Sequence, residues 1–403
     1  MHSVAEALAI ILEHTRTLPP AAEPLGSVAP GRVLAENVAA DLDSPPYDKA
    51  LMDGFAVRCA DCGGPPVTLR VVEEIAAGSS PTRALGPGEA ARIMTGAPIP
   101  EGADAVVPVE RTEPRADGTV VIPGKAPRPG ENILRRGAEM RAGEVVLEAG
   151  TVLRPQEFGL LAGVGRDSAA VYPVPRVSIL ATGSELVEAN TVPAGAQIRN
   201  SNGPMLVAQT LRAGAAPRYL GIARDDRAAL RALVRDGLEG AAVLILSGGV
   251  SVGSYDLVPD VLREEGVAAH FHKVAMKPGK PLLFGTRGET LVFGLPGNPV
   301  SSFVCFELFV RPAVGKLRGL RRPGPGELRL PLAEDFSYRS DRPTYYPAAV
   351  EAAEVGLRVR PVPWFGSADL RGLTRADALV VLPPGESRLR AGEPVSVMQL
   401  GER

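Results

Sequence analysis

The chain has 403 residues, of which 45% are hydrophobic and 22% charged, with a formal net charge of −2. That length exceeds what one hydrophobic core organises, so several domains are expected. The near-neutral balance argues against a nucleic-acid partner or an acidic tail, and no apolar run approaches membrane-span length; a soluble, cytoplasmic protein without membrane contact is expected.

Ser3 followed by Glu6 matches a capping box, and Val4, Leu8, Ile11 and Leu12 supply an amphipathic face, which predicts a helix from Ser3 to about Arg16. Pro19 and Pro20 stop it. A second short helix is expected over GRVLAENVAA, residues 31–40. From Ser44 to about Gly143 the pattern turns to short strands punctuated by Gly and Pro, clearest in VTLRVVEEI, AARIMTG, AVVPVE and TVVIPG. A helix restarts at RPQEFGLLAGVG, with Pro155 at a tolerated first position. The expected division is a discontinuous helical domain over 1–43 and 144–173, interrupted by a β-rich domain over 44–143.

From 174 to 322 strands and helices alternate: VSILATG, a helix from Asn202 to Ala213, PRYLGIA, RAALRALVRDGL, AVLILSGG, DLVPDVLREEG, VAAHFHKVAM, PLLFG, LVFGLPG and NPVSSFVCFELFVRPAVGKL. Repeated βαβ units imply a mainly parallel sheet covered by helices on both faces, with ligands beyond the carboxyl ends of its strands. After RGLRRPGPGE the pattern is all short, proline-edged strands, and a small barrel over 323–403 is expected. The fold class is therefore multidomain α/β, a mainly parallel α/β sandwich with a helical N-terminal region, an inserted β-rich domain and a C-terminal small β-barrel.

The chemistry-bearing residues concentrate between Leu244 and Ser302. SGGVSVG is neither a Walker A loop nor a dinucleotide fingerprint, but its glycines let backbone amides approach a ligand, and Ser247, Ser251 and Ser254 add hydroxyls for oxyanions. In GLPGNPVSS, Asn298 fits an N-cap, Pro299 the first helical position, and Ser301 the first turn, where anions are favoured. The chain has only six lysines among 44 basic residues, and Lys273, Lys277 and Lys280 fall within eight positions. Lysine is a compact point charge and arginine a planar fork, so this retention in an arginine-biased chain points to an anion. Glu185, Asp225 and Asp256 each follow a strand's carboxyl end, where carboxylates beside phosphate imply a divalent cation such as Mg²⁺; helix capping is the alternative for Asp225 and its neighbour Asp226. Asp48, Lys49 and Asp53 share one loop of the β-rich domain, and Thr95 lies on another. Cys59 and Cys62 form a lone C-x-x-C without the four ligands of a zinc site, and read as ordinary thiols.

Taken together, PPYDKALMDGFAV, IMTGAPIPEGADAVVP, GENILRRGAEM, ATGSEL, GIARDD, SGGVSVGSYD, MKPGKP and GLPGNPVSS, in this order, resemble the MoeA family of molybdenum insertases, over nearly the whole chain. The resemblance implies an α/β domain of molybdopterin-binding type, and a reaction in which adenylylated molybdopterin and molybdate, with Mg²⁺, give molybdenum cofactor and AMP. It implies functional roles around the pterin pyrophosphate for Asp53, Thr95, Glu185, Asp225 and Asp256, the last three as Mg²⁺ ligands. Ser247, Gly248, Gly249, Ser251, Gly253, Lys273, Pro296 and Pro299 would bind the pterin and its pyrophosphate. Lys277, Lys280 and Ser301, joined by Arg342 and Ser367 of the tail, would bind molybdate. It further implies a homodimer with a shared site, in which Arg342 and Ser367 reach Lys277 across the subunit boundary, and exchange with the molybdopterin adenylyltransferase and cofactor-accepting enzymes. Ala50, Ser184 and Glu139 depart from the residues common in the family. An adenylyltransferase, which shares the SGGVSVG-bearing domain, and a non-catalytic scaffold of the same fold are the alternatives.

Overall fold

The structure is a computed structural model, and it describes residues 1–64, 66–249 and 257–401. The chain folds into two compact units, one of Met1–Glu36, Gly150–Arg154 and the chain from Ser168 onward, the other of Asn37–Ala149 and Pro155–Asp167.

The first unit opens with α1 (Val4–His14), whose capping box is complete: Ser3 Oγ accepts from the Glu6 amide and the Glu6 carboxylate from the Ser3 amide. The second unit carries a six-stranded sheet of β1 (Gly54–Val57), β2 (Val67–Ile75), β3 (Glu89–Ile93), β4 (Ala105–Pro108), β5 (Glu113–Pro114) and β6 (Thr119–Ile122), in the order β4-β1-β3-β2-β6-β5. Only β2 and β3 run parallel. Helix α2 (Pro155–Gly163) also belongs to this unit, so the two helices of the expected N-terminal helical region fall in different units.

Residues 31–40 are not helical, a correction to the sequence reading. Gly31 takes a positive φ, and the amides of Gly31, Leu34 and Ala35 donate to the carbonyls of Leu153, Thr151 and Ala170. Val38–Ala39 pairs with Val145–Leu147. Partners more than a hundred residues away satisfy this backbone, so a local apolar pattern misleads there.

The first unit is built on a second six-stranded sheet: β7 (Arg176–Thr182), β8 (Ala216–Ala223), β9 (Val243–Ser247), β10 (Ala268–Lys273), β11 (Pro281–Arg287) and β12 (Thr290–Leu295), in the order β8-β7-β9-β12-β11-β10. The first four positions of that order are parallel, and β11 and β10 are antiparallel additions. The helices between them are α3 (Asn202–Arg212), α4 (Arg227–Leu238) and α5 (Val258–Glu264), and α6 (Pro299–Cys305) and α7 (Arg311–Leu317) follow β12, joined by a π-helical stretch, Phe306–Val310. Alternation along β9 sends Val243 and Ile245 into one core with α1, α3, α6 and α7, and Leu244 and Leu246 into another with α4 and α5. Being buried on both faces is why these strands read as continuous apolar runs. Phe284, Phe293, Phe306 and Phe309 are fully buried, each burial contributing about 1.5–3 kcal/mol.

The tail adds β13 (Glu327–Pro331), β14 (Phe336–Ser340), β15 (Thr344–Ala352), β16 (Leu357–Pro361), β17 (Ala378–Leu382), β18 (Gly385–Leu389) and β19 (Pro394–Gln399). Five form a sheet in the order β13-β19-β17-β15-β16, and β14 pairs with β18. Beyond β13, Leu332 bridges Val359 of β16, bringing the chain back to the far end of that sheet.

Candidate functional site

The carboxyl ends of β7, β9 and β12 are pulled together by backbone contact. Gly248 follows β9 with φ +96°, and a Cβ there would stand 2.4 Å from Thr182 O, so only glycine permits this approach. The Gly248 amide donates to Leu295 O of β12 at 3.0 Å. Buried Asn202, at the start of α3, donates to Ser247 Oγ at 2.7 Å and to Gly297 O at 2.8 Å. These ends border a cavity of about 640 Å³ that also reaches Glu185, Asp225, Pro296 and Pro299.

The two carboxylates there sit in a shared loop structure. The Ser184 amide donates to Asp225 Oδ2 at 3.1 Å, and the Asp225 amide donates to Ser184 Oγ at 3.0 Å. Serine at 184 thus serves as an acceptor, where an aspartate would set a second carboxylate against Asp225. Glu185 folds back over Gly183, whose missing side chain makes room for it. Asp226, not Asp225, caps α4, accepting from the Ala229 amide at 2.7 Å, which frees Asp225 from the capping alternative.

A second cavity, of about 580 Å³, adjoins the first: Pro281 and Asn298 line both. Its lining brings together Lys277, Lys280, Ser301, Arg342 and Ser367. The Lys277 amide donates to Pro343 O at 2.9 Å and its carbonyl accepts from the Tyr345 amide at 2.8 Å, joining this loop to the start of β15. On the other side, the Val300 amide donates to Ser367 O at 2.9 Å, and Asn298 Nδ2 to Ser367 Oγ at 3.0 Å. Asn298 is the N-cap residue expected for α6, but its side chain serves Ser367 rather than the helix. The Lys277 ammonium lies 5.6 Å from the centre of the Tyr338 ring, a cation–π distance. Tyr346, Trp364 and the almost fully exposed Phe365 continue this aromatic wall. Three cations and two serine hydroxyls around one space have the chemistry to receive a compact oxyanion.

Asp53 and Thr95 lie together in the other unit. Asp53 Oδ1 accepts from both the Thr95 amide and the Thr95 hydroxyl, each at 2.7 Å, and these bonds hold its carboxyl below the usual range. On the neighbouring loop Asp48 takes the Arg136 amide and the Arg135 guanidinium, while Glu139 accepts from Ser44 and pairs with Lys49. Cys59 and Cys62 occupy a 3₁₀ turn, and burial pushes the Cys59 thiol up to about 12. A thiol so raised is a poor nucleophile and ligand.

Among the residues singled out from sequence, Ser251, Gly253, Ser254 and Asp256 lie outside the described residues. Lys273 closes β10 opposite Pro281 and lines neither cavity. Arg342 and Ser367 were expected to reach Lys277 across a subunit boundary; instead all three line one cavity of a single chain. The roles of Asn202, Tyr338, Trp364 and Phe365 went unread. The chain's one tryptophan, set beside a phenylalanine and a glycine, was the available signal.

Three family models match the chain in succession: the MoeA N-terminal region (domain I and II) over residues 2–165, a probable molybdopterin binding domain over 178–316, and the MoeA C-terminal region (domain IV) over 329–400. A molybdopterin molybdenumtransferase of Bacillus subtilis (strain 168) is 37% identical over 377 residues, 92% of this chain and 88% of that protein. One from Nostoc sp. is 37% identical over 381 residues, 92% of this chain and 87% of that protein. A solved molybdopterin biosynthesis MoeA protein from Pyrococcus horikoshii OT3 superposes with a TM-score of 0.84 at 28% identity, covering 99% of this chain and 100% of that one.

Proposed function

This chain belongs to the MoeA family of molybdopterin molybdenumtransferases, transferases of molybdenum-cofactor biosynthesis, and from that membership we propose a division of its site into two adjoining subsites. In this reading the cavity around Lys277, Lys280, Ser301, Arg342 and Ser367 receives molybdate as substrate. The cavity at the ends of β7, β9 and β12 receives the pyrophosphate of adenylylated molybdopterin, and AMP leaves when molybdenum has been inserted. The observation that carries the reading is the convergence of those five side chains, from two separate stretches of sequence, on one space beside the glycine-rich strand ends.

The chain's own groups have distinct tasks. Lys277 and Lys280 supply full charges without imposing a planar geometry, which suits a tetrahedral ion; Arg342 supplies a directed fork. Ser301 and Ser367 orient the ion by hydrogen bonds, the latter held by Asn298. Pro296 and Pro299 stiffen the turn that presents Ser301. Ser247, Gly248 and Gly249, with Ser251 and Gly253, offer donors to the pyrophosphate.

The donor set suits Mg²⁺. Glu185 and Asp225 line one cavity and offer carboxylate oxygens to it. Mg²⁺ is ordinarily held by one or two carboxylates together with substrate phosphates. Glu185, Asp225 and Asp256 would hold it, where it would neutralise charge on the pyrophosphate. Asp53 and Thr95 belong to the proposed catalytic set, their mutual hydrogen bonds keeping Asp53 ionised. An α/β sandwich of molybdopterin-binding type, a small C-terminal β-barrel, a cytoplasmic homodimer and exchange with the adenylyltransferase and cofactor-accepting enzymes complete the proposal.

Calorimetric titration tests it. Lys277→Ala should weaken molybdate binding by about 1.5–3 kcal/mol, the range for a charged hydrogen-bonding group, and leave binding of adenylylated molybdopterin unchanged. Equal loss of both ligands would assign Lys277 to the pyrophosphate instead.

A further inference from the structure

We infer that Asp341 is an affinity-setting residue of the oxyanion subsite, a counter-charge beside the pocket that competes with the incoming anion for Arg342. The inference rests on the reading of that cavity as the molybdate subsite.

The geometry separates a pinned backbone from a guanidinium with a choice of partners. Between β14 and β15, the Arg342 amide donates to Ser340 Oγ at 3.3 Å, and the Thr344 hydroxyl donates to Arg342 O at 3.2 Å. The neighbouring backbone is tied to Lys277 on both sides, through Pro343 O and the Tyr345 amide. Arg342 is therefore held at the cavity while its side chain spends one donor, Nε, on Asp341 Oδ1 at 3.0 Å. Among the described residues its two terminal nitrogens have no hydrogen-bond partner, so the outer edge of the fork is available to a ligand. The exposures are unequal: the Asp341 side chain is 75% exposed and that of Arg342 24%. The carboxylate can leave for water at little cost, whereas the arginine stays.

Charge gives the pairing its meaning. The lining carries three cations, Lys277, Lys280 and Arg342. Asp341 offsets one of them and leaves two, the charge that a dianion such as molybdate balances. Its carboxyl is held below the ordinary range first by the hydrogen bond from Arg342, with Lys277 adding to the effect. An exposed ion pair is weak, and an anion making several charge-assisted bonds displaces it. Asp341 thus lowers affinity for every oxyanion and sets a threshold that a ligand must exceed by engaging Lys277 and Ser301 as well.

The test is Asp341→Asn in the full chain, titrated calorimetrically with molybdate and with sulfate at low ionic strength. Both dianions should bind about two- to fivefold tighter, with the gain shrinking as salt is raised, and Asp341→Glu should stay near the parent affinity. Unchanged or weaker binding by folded Asp341→Asn would overturn the inference, since Asp341 would then merely position Arg342. Asp341→Ser provides a second variant should the amide disturb the turn. Molybdate binding indifferent to Lys277→Ala would instead sink the subsite itself; binding lost in Lys277→Ala but unmoved in Asp341→Asn sinks only the competition.

Discussion

Asn202 shows how much of the site one side chain can hold. Its single amide nitrogen reaches Ser247 Oγ and Gly297 O, so it ties the carboxyl end of β9 to the loop after β12. Its Oδ1 is buried without a hydrogen-bond partner among the described residues, which marks a group retained despite a desolvation cost. Asn202→Ala would leave the buried Ser247 hydroxyl without this partner and release the exposed Gly297 carbonyl, and a loss of about 1–3 kcal/mol is expected on urea unfolding. A loss below about 0.5 kcal/mol, the level of an ordinary surface change, would mean that the Gly248–Leu295 bond alone keeps the loops together. In the sequence this asparagine reads only as a helix start, because its partners are 45 and 95 residues away. The same limit hid Asp341, whose importance comes from Lys277 and Arg342 sharing one space.

At the scale of elements, Glu265 joins α4 to the end of α5. It is buried, accepts from Arg235 and Arg231 of α4, and those two arginines pull its carboxyl down to about 2. Since the folded-state value lies below the ordinary one, the unfolded chain takes up the proton first as pH falls. The stabilisation is fully present above about pH 4.3 and is lost as pH falls towards about 2. Glu265→Gln should lower the thermal midpoint at neutral pH and flatten its decline between about pH 5 and about pH 3; parallel profiles for the two proteins would remove Glu265 from the acid response. Elements whose pattern and ends are local were legible: α1 by its capping box, α4 by its amphipathic repeat, and β9 and β12 by continuous apolar runs. Residues 31–40 were misread because Val33 and Leu34 answer to Val152 and Val171, a pairing that no local periodicity records. The π-helical turn at Phe306–Val310 was equally hidden: it carries fully buried Glu307, which meets Gln209, Arg212 and Arg311, two of them on α3.

At the scale of the whole molecule, the cavity proposed for the oxyanion depends on the tail returning to the strand sheet of its own unit. Lys277 bridges Thr344 and Ser367 is bonded to the start of α6, so residues far apart in sequence close one space within one chain. This arrangement makes a prediction that a site shared between subunits does not. Lys277→Ala and Arg342→Ala each damage the same cavity, and two chains carrying one change each contain no intact cavity between them. Co-expressing the two variants, or unfolding and refolding them as a mixture, should therefore leave molybdate binding as weak as in either variant alone. Were Arg342 supplied by a partner, a mixed pair would join the intact Lys277 of one chain to the intact Arg342 of the other, and part of the tight binding would return. Recovery of such a population by calorimetry would overturn the single-chain site. Its absence, with wild-type chains refolded in parallel regaining full binding, assigns both cations to one chain.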